Sequence, residues 1–248
     1  MGLDGLRQPM SSEQAPELSV VVLGYRAGEG LASVVDGLTE ALAAVERSFE
    51  VVLVANYDEG SGDGTPDVAR RLAKLHPFIR VVALAKEGGM GWDLRSGLEE
   101  ARGRVLVVMD GDGQNPPQDV PRAYSALVGG EHDVVKGRRT TRHDGPYRRL
   151  LSLAYNAVFL ILFGTRGIWD INGKPKAVTR DAYRRLTLRS DDWFLDAELI
   201  LAARRAGMSI AEIPVEFRAS TARPSFVRPG AVLEFARHML SYRFRGRP

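Results

Sequence analysis

The 248-residue chain has no cysteine, which removes disulfides, thiolate zinc sites and a cysteine nucleophile together and fits a reducing compartment. It also lacks a run of the roughly 20 apolar residues that a membrane-crossing helix needs. The nearest approach is LLSLAYNAVFLILFG, Leu150 to Gly164, uncharged but too short. A stretch of that kind either lies on a membrane or forms a buried core helix. The first seventeen residues carry no charged-then-apolar signal pattern and read as a flexible leader, 1–17. After the first apolar run, LGYRAGEG has glycines at 24, 28 and 30, a spacing that excludes the G-x-G-x-x-G turn of a dinucleotide-binding dehydrogenase. A glycine-rich, basic phosphate loop is missing there too, which argues against a nucleotidyltransferase.

Charge of one sign is scarce in two places. Between Gly137 and Arg149 there are five arginines, and from Arg218 to the end there are seven against the single acid Glu234. With a net charge of only +3, this is local concentration, which suits phosphate, anionic lipid or nucleic acid, or a solvated face. The arginine-rich segments lack the interleaved aromatics of a base-stacking surface, so an RNA- or membrane-binding module is the weaker reading and no nucleic-acid partner is expected.

Apolar, β-branched runs alternate with helical stretches. LSVVVLG (18–24), FEVVLVA (49–55), IRVVALA (79–85), RVLVVMD (104–110) and the shorter HDVVKG (132–137) read as strands. Helices are expected over 31–47, 66–75 and 92–102 between them, then 196–206, a strand over 209–217 and a helical run from about 230 to 242. Continuous runs separated by helices indicate an α/β fold with a mostly parallel central sheet, Rossmann-like and covered on both faces. In such sheets ligands sit beyond the carboxyl ends of the strands, so the residues just after each strand carry most of the information.

The fourth run ends in Asp110-Gly111-Asp112-Gly113-Gln114-Asn115-Pro116-Pro117. Two carboxylates one residue apart at a strand end can share a divalent cation, and Gln114 adds an oxygen; Mg2+ and Mn2+ favour such ligands and bridge them to phosphates. An Asp-Gly turn without a ligand is the plainer alternative. The second run is followed by Asp58-Glu59-Gly60-Ser61-Gly62-Asp63-Gly64-Thr65. Its carboxylates can accept from a base imide or ribose hydroxyls, or can cap the helix beginning near Pro66; Asp63 and Thr65 suit capping.

DGDGQNPP resembles the DADLQHPP-type segment of family 2 glycosyltransferases, above all the dolichol-phosphate mannose synthase-like group. Asp58 to Thr65 resembles that family's DDGSxDGT turn, Gly88-Gly89-Met90-Gly91 its glycine-spaced helix start, and Asp170-Ile171-Asn172-Gly173-Lys174-Pro175-Lys176 its D-x-N/S-G-x-x-K/R segment. The resemblance runs in order from about 18 to 218. It implies a GT-A domain over 18–218, followed by a basic tail and helix over 219–248 with amphipathic or basic C-terminal helices. It implies a donor site of Tyr25, Asp58, Glu59, Gly89, Asp110 and Gly111, and a Mg2+ or Mn2+ ion on Asp110, Asp112 and Gln114. Departures cluster near the base: Gly24-Tyr25-Arg26 replaces P-x-Y-N-E, Asn56-Tyr57 precedes the acidic turn, and Asp93 stands where a small residue is usual. UDP and GDP both stay open as donor nucleotides.

Arg138, Arg148 and Ser152 reproduce the spacing with which the lipid-phosphate group of this family holds its acceptor phosphate, and the arginine fork suits that task. Arg139, Arg142 and Arg149 are expected to face solvent or lipid headgroups. A phosphate acceptor is already anionic, so Asp110, Asp112, Arg138 and Arg148 are the expected catalytic groups and no base is needed. The implied activity is metal-dependent, inverting transfer of a sugar from a UDP- or GDP-sugar to a polyprenyl phosphate, by a cytoplasmic protein lying peripherally on the inner face of the cell membrane. A soluble saccharide or natural-product acceptor is the alternative. Arg218, Arg223 and Ser225 fall where the family has a basic mobile loop, with a poor match.

Overall fold

The computed structural model describes residues 15–45, 47–130, 132–143, 145–219 and 237–244, with nothing said of the Tyr147 side chain. In chain order come β1 (Leu18–Leu23), α1 (Gly30–Ala43), β2 (Phe49–Val54), α2 (Thr65–Leu75), β3 (Ile79–Val82), α3 (Met90–Glu100) and β4 (Val105–Asp110). They are followed by α4 (Asp119–Gly129), β5 (Val134–Arg142), α5 (Pro146–Phe163), β6 (Lys176–Thr179), α6 (Arg180–Arg184), α7 (Leu195–Arg205) and β7 (Ile210–Phe217). Residues 237–244 are helical.

The strands form one sheet in the order β3-β2-β1-β4-β6-β5-β7. β1 to β4 are mutually parallel, as expected. β6 runs antiparallel to both β4 and β5, and β7 is parallel to β5. The alternation of side chains across a strand explains the continuous apolar runs. Val21, Leu23, Val52 and Val54 pack with Leu94 and Leu98 of α3 on one face. Val20, Val22, Val51 and Leu53 pack with Leu31, Val35 and Leu38 of α1 on the other. Both faces are covered, so both register positions are apolar except at the strand starts, where buried Ser19 donates to Glu50 Oε1 at 2.6 Å.

Several elements differ from the sequence expectation. α4 follows the two prolines of DGDGQNPP and has no counterpart in that reading. β6, just after the Asp170-to-Lys176 motif, has no counterpart in that reading either, because KAVT is four residues with a lysine at its start and gives no apolar run. β5 extends to Arg142, well beyond Gly137, because it pairs with β7 along its whole length. α5 begins at Pro146, its Pro at the first turn where no N–H is needed. It is also neither wholly buried nor wholly exposed. Tyr155, Phe159 and Phe163 stack successively with ring centroids 5.0 Å apart and face Phe194 and Tyr242, so the described part of the tail packs on this helix. On the opposite side, Leu150, Leu153, Ala154, Ala157, Val158 and Ile161 are exposed, Ile161 at 80%. Among the described residues no helix is long and apolar enough to cross a membrane.

Candidate active site

Asp110 is the last residue of β4, and the chain then turns away over the end of β1. Gly111 N–H donates to Leu23 O at 2.9 Å, and a Cβ on Gly111 would sit 3.0 Å from that oxygen, so a larger side chain here would push on the end of β1. Gly113 takes φ +75, and Gln114 N–H donates to Asp112 Oδ1 at 3.0 Å. Gln114 is tied down by Arg218: its Nε2 donates to Arg218 O and Arg218 N–H donates back to Gln114 O, both at 2.9 Å. Gln114 Oε1 is not used in that exchange. Asp110, Asp112 and Gln114 thus stand on one turn, and their side-chain oxygens are of the donor type that Mg2+ or Mn2+ takes.

Behind the turn lies a buried charge chain. Lys174 Nζ donates to Asp110 Oδ1 at 2.7 Å and lies 3.5 Å from Asp196 Oδ2, while Lys176 Nζ is 2.6 Å from Asp196 Oδ1. Burial alone would lower the Lys174 pKa, but the charges of Asp110 and Asp196 overrule it and raise it. For Lys176, burial wins over the pull of Asp196, helped by the neighbouring Lys174 and Lys136, and its pKa falls to about 8. Sequence reasoning quoted these lysines as part of a motif and assigned them no partner. Two lysines alternating into a buried strand were the available signal, since buried charge is rare unless paired.

At the end of β2, Asp58 Oδ2 accepts from the Tyr25 hydroxyl at 2.6 Å and from Arg26 Nη2 at 3.0 Å. The Tyr25 hydrogen bond, then Arg26, hold the Asp58 carboxyl below its ordinary pKa. The Lys86 ammonium lies over the Tyr25 ring, 4.4 Å from its centroid, and pairs with buried Asp93. Asn56 Nδ2 donates to Asp93 Oδ1 at 2.9 Å, and Asn56 Oδ1 accepts from Leu84 N–H at 2.9 Å. The departures from the family pattern are therefore one connected set rather than scattered changes. Glu59 is exposed beside it. Asp63 accepts from Thr65 N–H at 3.0 Å and from its hydroxyl at 2.5 Å; the N-cap of α2 is Gly64, without a side-chain cap, so the pair closes a turn just ahead of the helix instead of capping it as expected.

Gly88, Gly89 and Gly91 back onto the segment before α7. A Cβ on Gly91 would lie 2.5 Å from Ser190 O, and one on Gly89 2.9 Å from Asp191 O, so close packing accounts for the glycines at this helix start. The acids near α7 are all engaged. Asp191 pairs with Arg95, and Asp192 pairs with His238 at 2.8 Å. Asp196 holds the two lysines, and Glu198 accepts the backbone N–H groups of Arg189 and Ser190.

On the other side of β4, Arg139 is not a solvent-facing residue, which corrects the sequence expectation. Its Nε and Nη2 grip both oxygens of Asp170 at 2.7 Å, and its backbone N–H donates to Oδ2 at 3.0 Å. Burial would raise the Asp170 pKa, but these bonds and the charges of Arg139 and Lys136 hold it far below the usual range. Glu212 of β7 accepts from Trp169 N–H, Asp170 N–H and the fully buried Lys136 ammonium. A lysine in the middle of VVKG was the missed clue to this partner.

Arg138 is exposed and lies over the Trp169 ring at 5.0 Å. Arg148 and Ser152 are half-buried in the first turns of α5. At 3.6 residues per turn they fall on the inward side with Tyr155 and Phe159, opposite the exposed apolar stripe. Asn156, one turn on, joins this helix to the Asp170 segment by accepting from Ile171 N–H at 3.0 Å. Arg142 lies 5.7 Å from the Phe217 ring centroid, and Arg149 is exposed. Arg223 and Ser225 lie outside the described residues, as do most of the leader and tail.

The mostly parallel sheet with carboxylates at its strand ends is the GT-A architecture of nucleotide-sugar transferases. Glucosyl-3-phosphoglycerate synthase from Mycobacterium tuberculosis, solved with Mn2+, UDP and glucosyl-3-phosphoglycerate, superimposes with a TM-score of 0.71 over 94% of this chain and 81% of its own, at 23% identity. Residues 19–190 match Glycosyl transferase family 2, and the chain belongs to that family. Among its relatives are Glycosyltransferase AglD of Haloferax volcanii, 30% identical over 88% of this chain and 36% of its own length, and Dodecaprenyl-phosphate galacturonate synthase of Rhizobium johnstonii, 34% identical over 55% and 40%. Dolichyl-phosphate beta-glucosyltransferase ALG5A of Trichomonas vaginalis is 28% identical over 81% of this chain and 65% of its own. The chain thus spans between about a third and two thirds of these relatives.

Proposed function

We propose that the chain is a metal-dependent, inverting glycosyltransferase that moves a sugar from a nucleoside diphosphate sugar to a polyprenyl phosphate. The observation that carries this reading is the two-sided α5. Arg148 and Ser152 are half-buried on the same face of the helix as Tyr155 and Phe159, while the outward stripe from Leu150 to Ile161 is apolar and exposed. Such an element can hold a phosphate between helix and body while its other face rests on the acyl boundary of a membrane. The names of the relatives, which include dodecaprenyl- and dolichyl-phosphate enzymes, support the same acceptor class.

Asp110, Asp112 and Gln114 would hold Mg2+ or Mn2+, which when bound neutralises charge on the departing diphosphate. Asp58 and Glu59 bind the nucleoside, with Tyr25 orienting Asp58. Lys174 fixes the carboxylate of Asp110. Arg138, Arg148 and Ser152 hold the acceptor phosphate so that one of its oxygens faces the anomeric carbon. That oxygen forms the new bond as the bond from the same carbon to the diphosphate oxygen breaks on the opposite side, inverting the centre. The nucleophile is already anionic, and Asp191, Asp192, Asp196 and Glu198 are committed to partners, so no base takes part. In this reading the protein works at the inner membrane surface, held peripherally.

The test is sugar transfer from UDP- and GDP-sugars into organic-extractable polyprenyl phosphate, with Mn2+ or Mg2+ and with EDTA. Lipid-linked product that disappears in EDTA is expected. Undiminished transfer in EDTA would overturn the metal assignment, and transfer only to water-soluble acceptors would overturn the lipid one.

A further inference from the structure

The Tyr25 corner gathers one carboxylate and two cations. Asp58 uses Oδ2 for Tyr25 and Arg26, and among the described residues no hydrogen bond reaches its Oδ1. The Arg26 guanidinium and the Lys86 ammonium lie 5.2 and 4.4 Å from the Tyr25 ring centroid. Neither cation is placed casually. Arg26 takes a positive φ of 52, unusual for a residue with a side chain. Lys86 is almost fully buried and anchored by Asp93, which Asn56 and Ser96 in turn hold in place.

We infer that this corner reads the nucleobase and selects uracil, so that the donor is a uridine diphosphate sugar. The inference rests on the donor-site reading above. Its ground is the count of hydrogen-bonding groups. Uracil presents one N–H between two carbonyl oxygens, which one carboxylate oxygen and two cationic donors satisfy. Guanine presents one carbonyl oxygen and two N–H positions on the corresponding edge, which would set a cation against an amino group. Cytosine and adenine offer an unprotonated ring nitrogen where Asp58 needs a donor. A site built for hydrogen bonds rejects a partner that leaves its polar groups unmatched, most strongly at the buried Lys86 ammonium. Asn56, Asp93 and Lys86 are then positioning and specificity residues that act through the Lys86 ammonium.

The experiment is calorimetric titration of the full chain, in Mn2+, with UDP, CDP, GDP and ADP. UDP should bind at least about tenfold more tightly than each of the others, the factor expected for one charged hydrogen bond. Arg26 is surface-exposed, so Arg26→Met tests the corner without threatening the fold. It should weaken UDP by about tenfold and erode the preference for UDP over GDP. Lys86→Met should do the same, and the double variant Lys86→Met/Asp93→Asn, which removes the buried carboxylate's charge as well, keeps the test valid if the single variant does not fold. GDP binding as tightly as UDP overturns the inference while leaving the donor site intact. Equal loss for all four nucleotides in Arg26→Met also overturns it, because that residue would then be holding phosphate. Binding of none of the four removes the donor-site reading and this inference with it.

Discussion

On the β3-β2-β1-β4 side of the sheet the strands are parallel and filled with valine and leucine, and Glu50 is the one buried acid within them. On the β6-β5-β7 side, Lys136, Lys174, Lys176, Asp170 and Asp196 are all buried, and Glu212 is nearly so. Apolar burial stabilises the first side without qualification. On the second, desolvation offsets much of the ion-pair attraction, and well-packed apolar residues would serve stability as well or better. The charges there stand directly behind Asp110 and around the Asp170 segment. The comparison teaches that the parallel strands are built to fold, whereas the charges buried beside β6, β5 and β7 fix side chains near the strand ends at a cost in stability, as the Lys86–Asp93 pair does at one corner of the parallel side.

If the parallel side delivers the donor's carboxylates, Asp112→Ala should lower transfer by about a thousandfold, the upper range for removing one electrostatic contact to developing charge. The metal-dependent part of nucleotide diphosphate binding should vanish with it, as read by titration with and without Mn2+. Retained metal-dependent binding would move the ligand set elsewhere.

The second prediction sharpens the contrast in stability. Asp170→Asn leaves Arg139 and Lys136 short of a buried partner and should cost about 3–5 kcal/mol at neutral pH. Because the folded pKa of Asp170 lies below the ordinary 3.8, its contribution is complete above that value and is lost as the pH falls below it. The gap between wild type and variant, measured by urea midpoints, should therefore narrow in acid. Leu53→Ala, in the fully buried parallel side, should cost about 2–5 kcal/mol with no such narrowing. A pH-independent Asp170→Asn gap would mean that the carboxylate is not what the arginine holds.

A smaller effect is expected at the outer face of α5. Ile161→Glu should reduce co-sedimentation with anionic phospholipid vesicles by about tenfold, the worth of one buried aliphatic side chain. Unchanged sedimentation would show that this face does not touch lipid.

Much of the parallel side was legible because its signals are local. Runs such as LSVVVL and VLVVMD name their own strands, and Asp110, Asp112 and Asp58 stand at or shortly after the carboxyl ends of β4 and β2, where those runs put them. The other side was not, because its logic is long-range. Arg139 meets Asp170 from 31 positions away and Lys136 meets Glu212 from 76, so no window contains both partners. β6 is four residues long and carries a lysine at its start, which hid it. α4 was hidden by the prolines before it. The two faces of α5 were compressed into one apolar run, since the packed and exposed positions are equally apolar and differ only in what lies opposite.

The central claim is that the two sides divide the work between donor and acceptor, and Arg148 tests it most directly. Arg148→Ala should slow transfer to polyprenyl phosphate by about tenfold to a hundredfold, the cost of one charged hydrogen bond. Lysine should restore only part of the rate, because it keeps the charge and loses the fork. Nucleotide affinity in the same preparation should stay at the wild-type value. Wild-type lipid transfer by Arg148→Ala, or a parallel loss of nucleotide binding, would contradict the division.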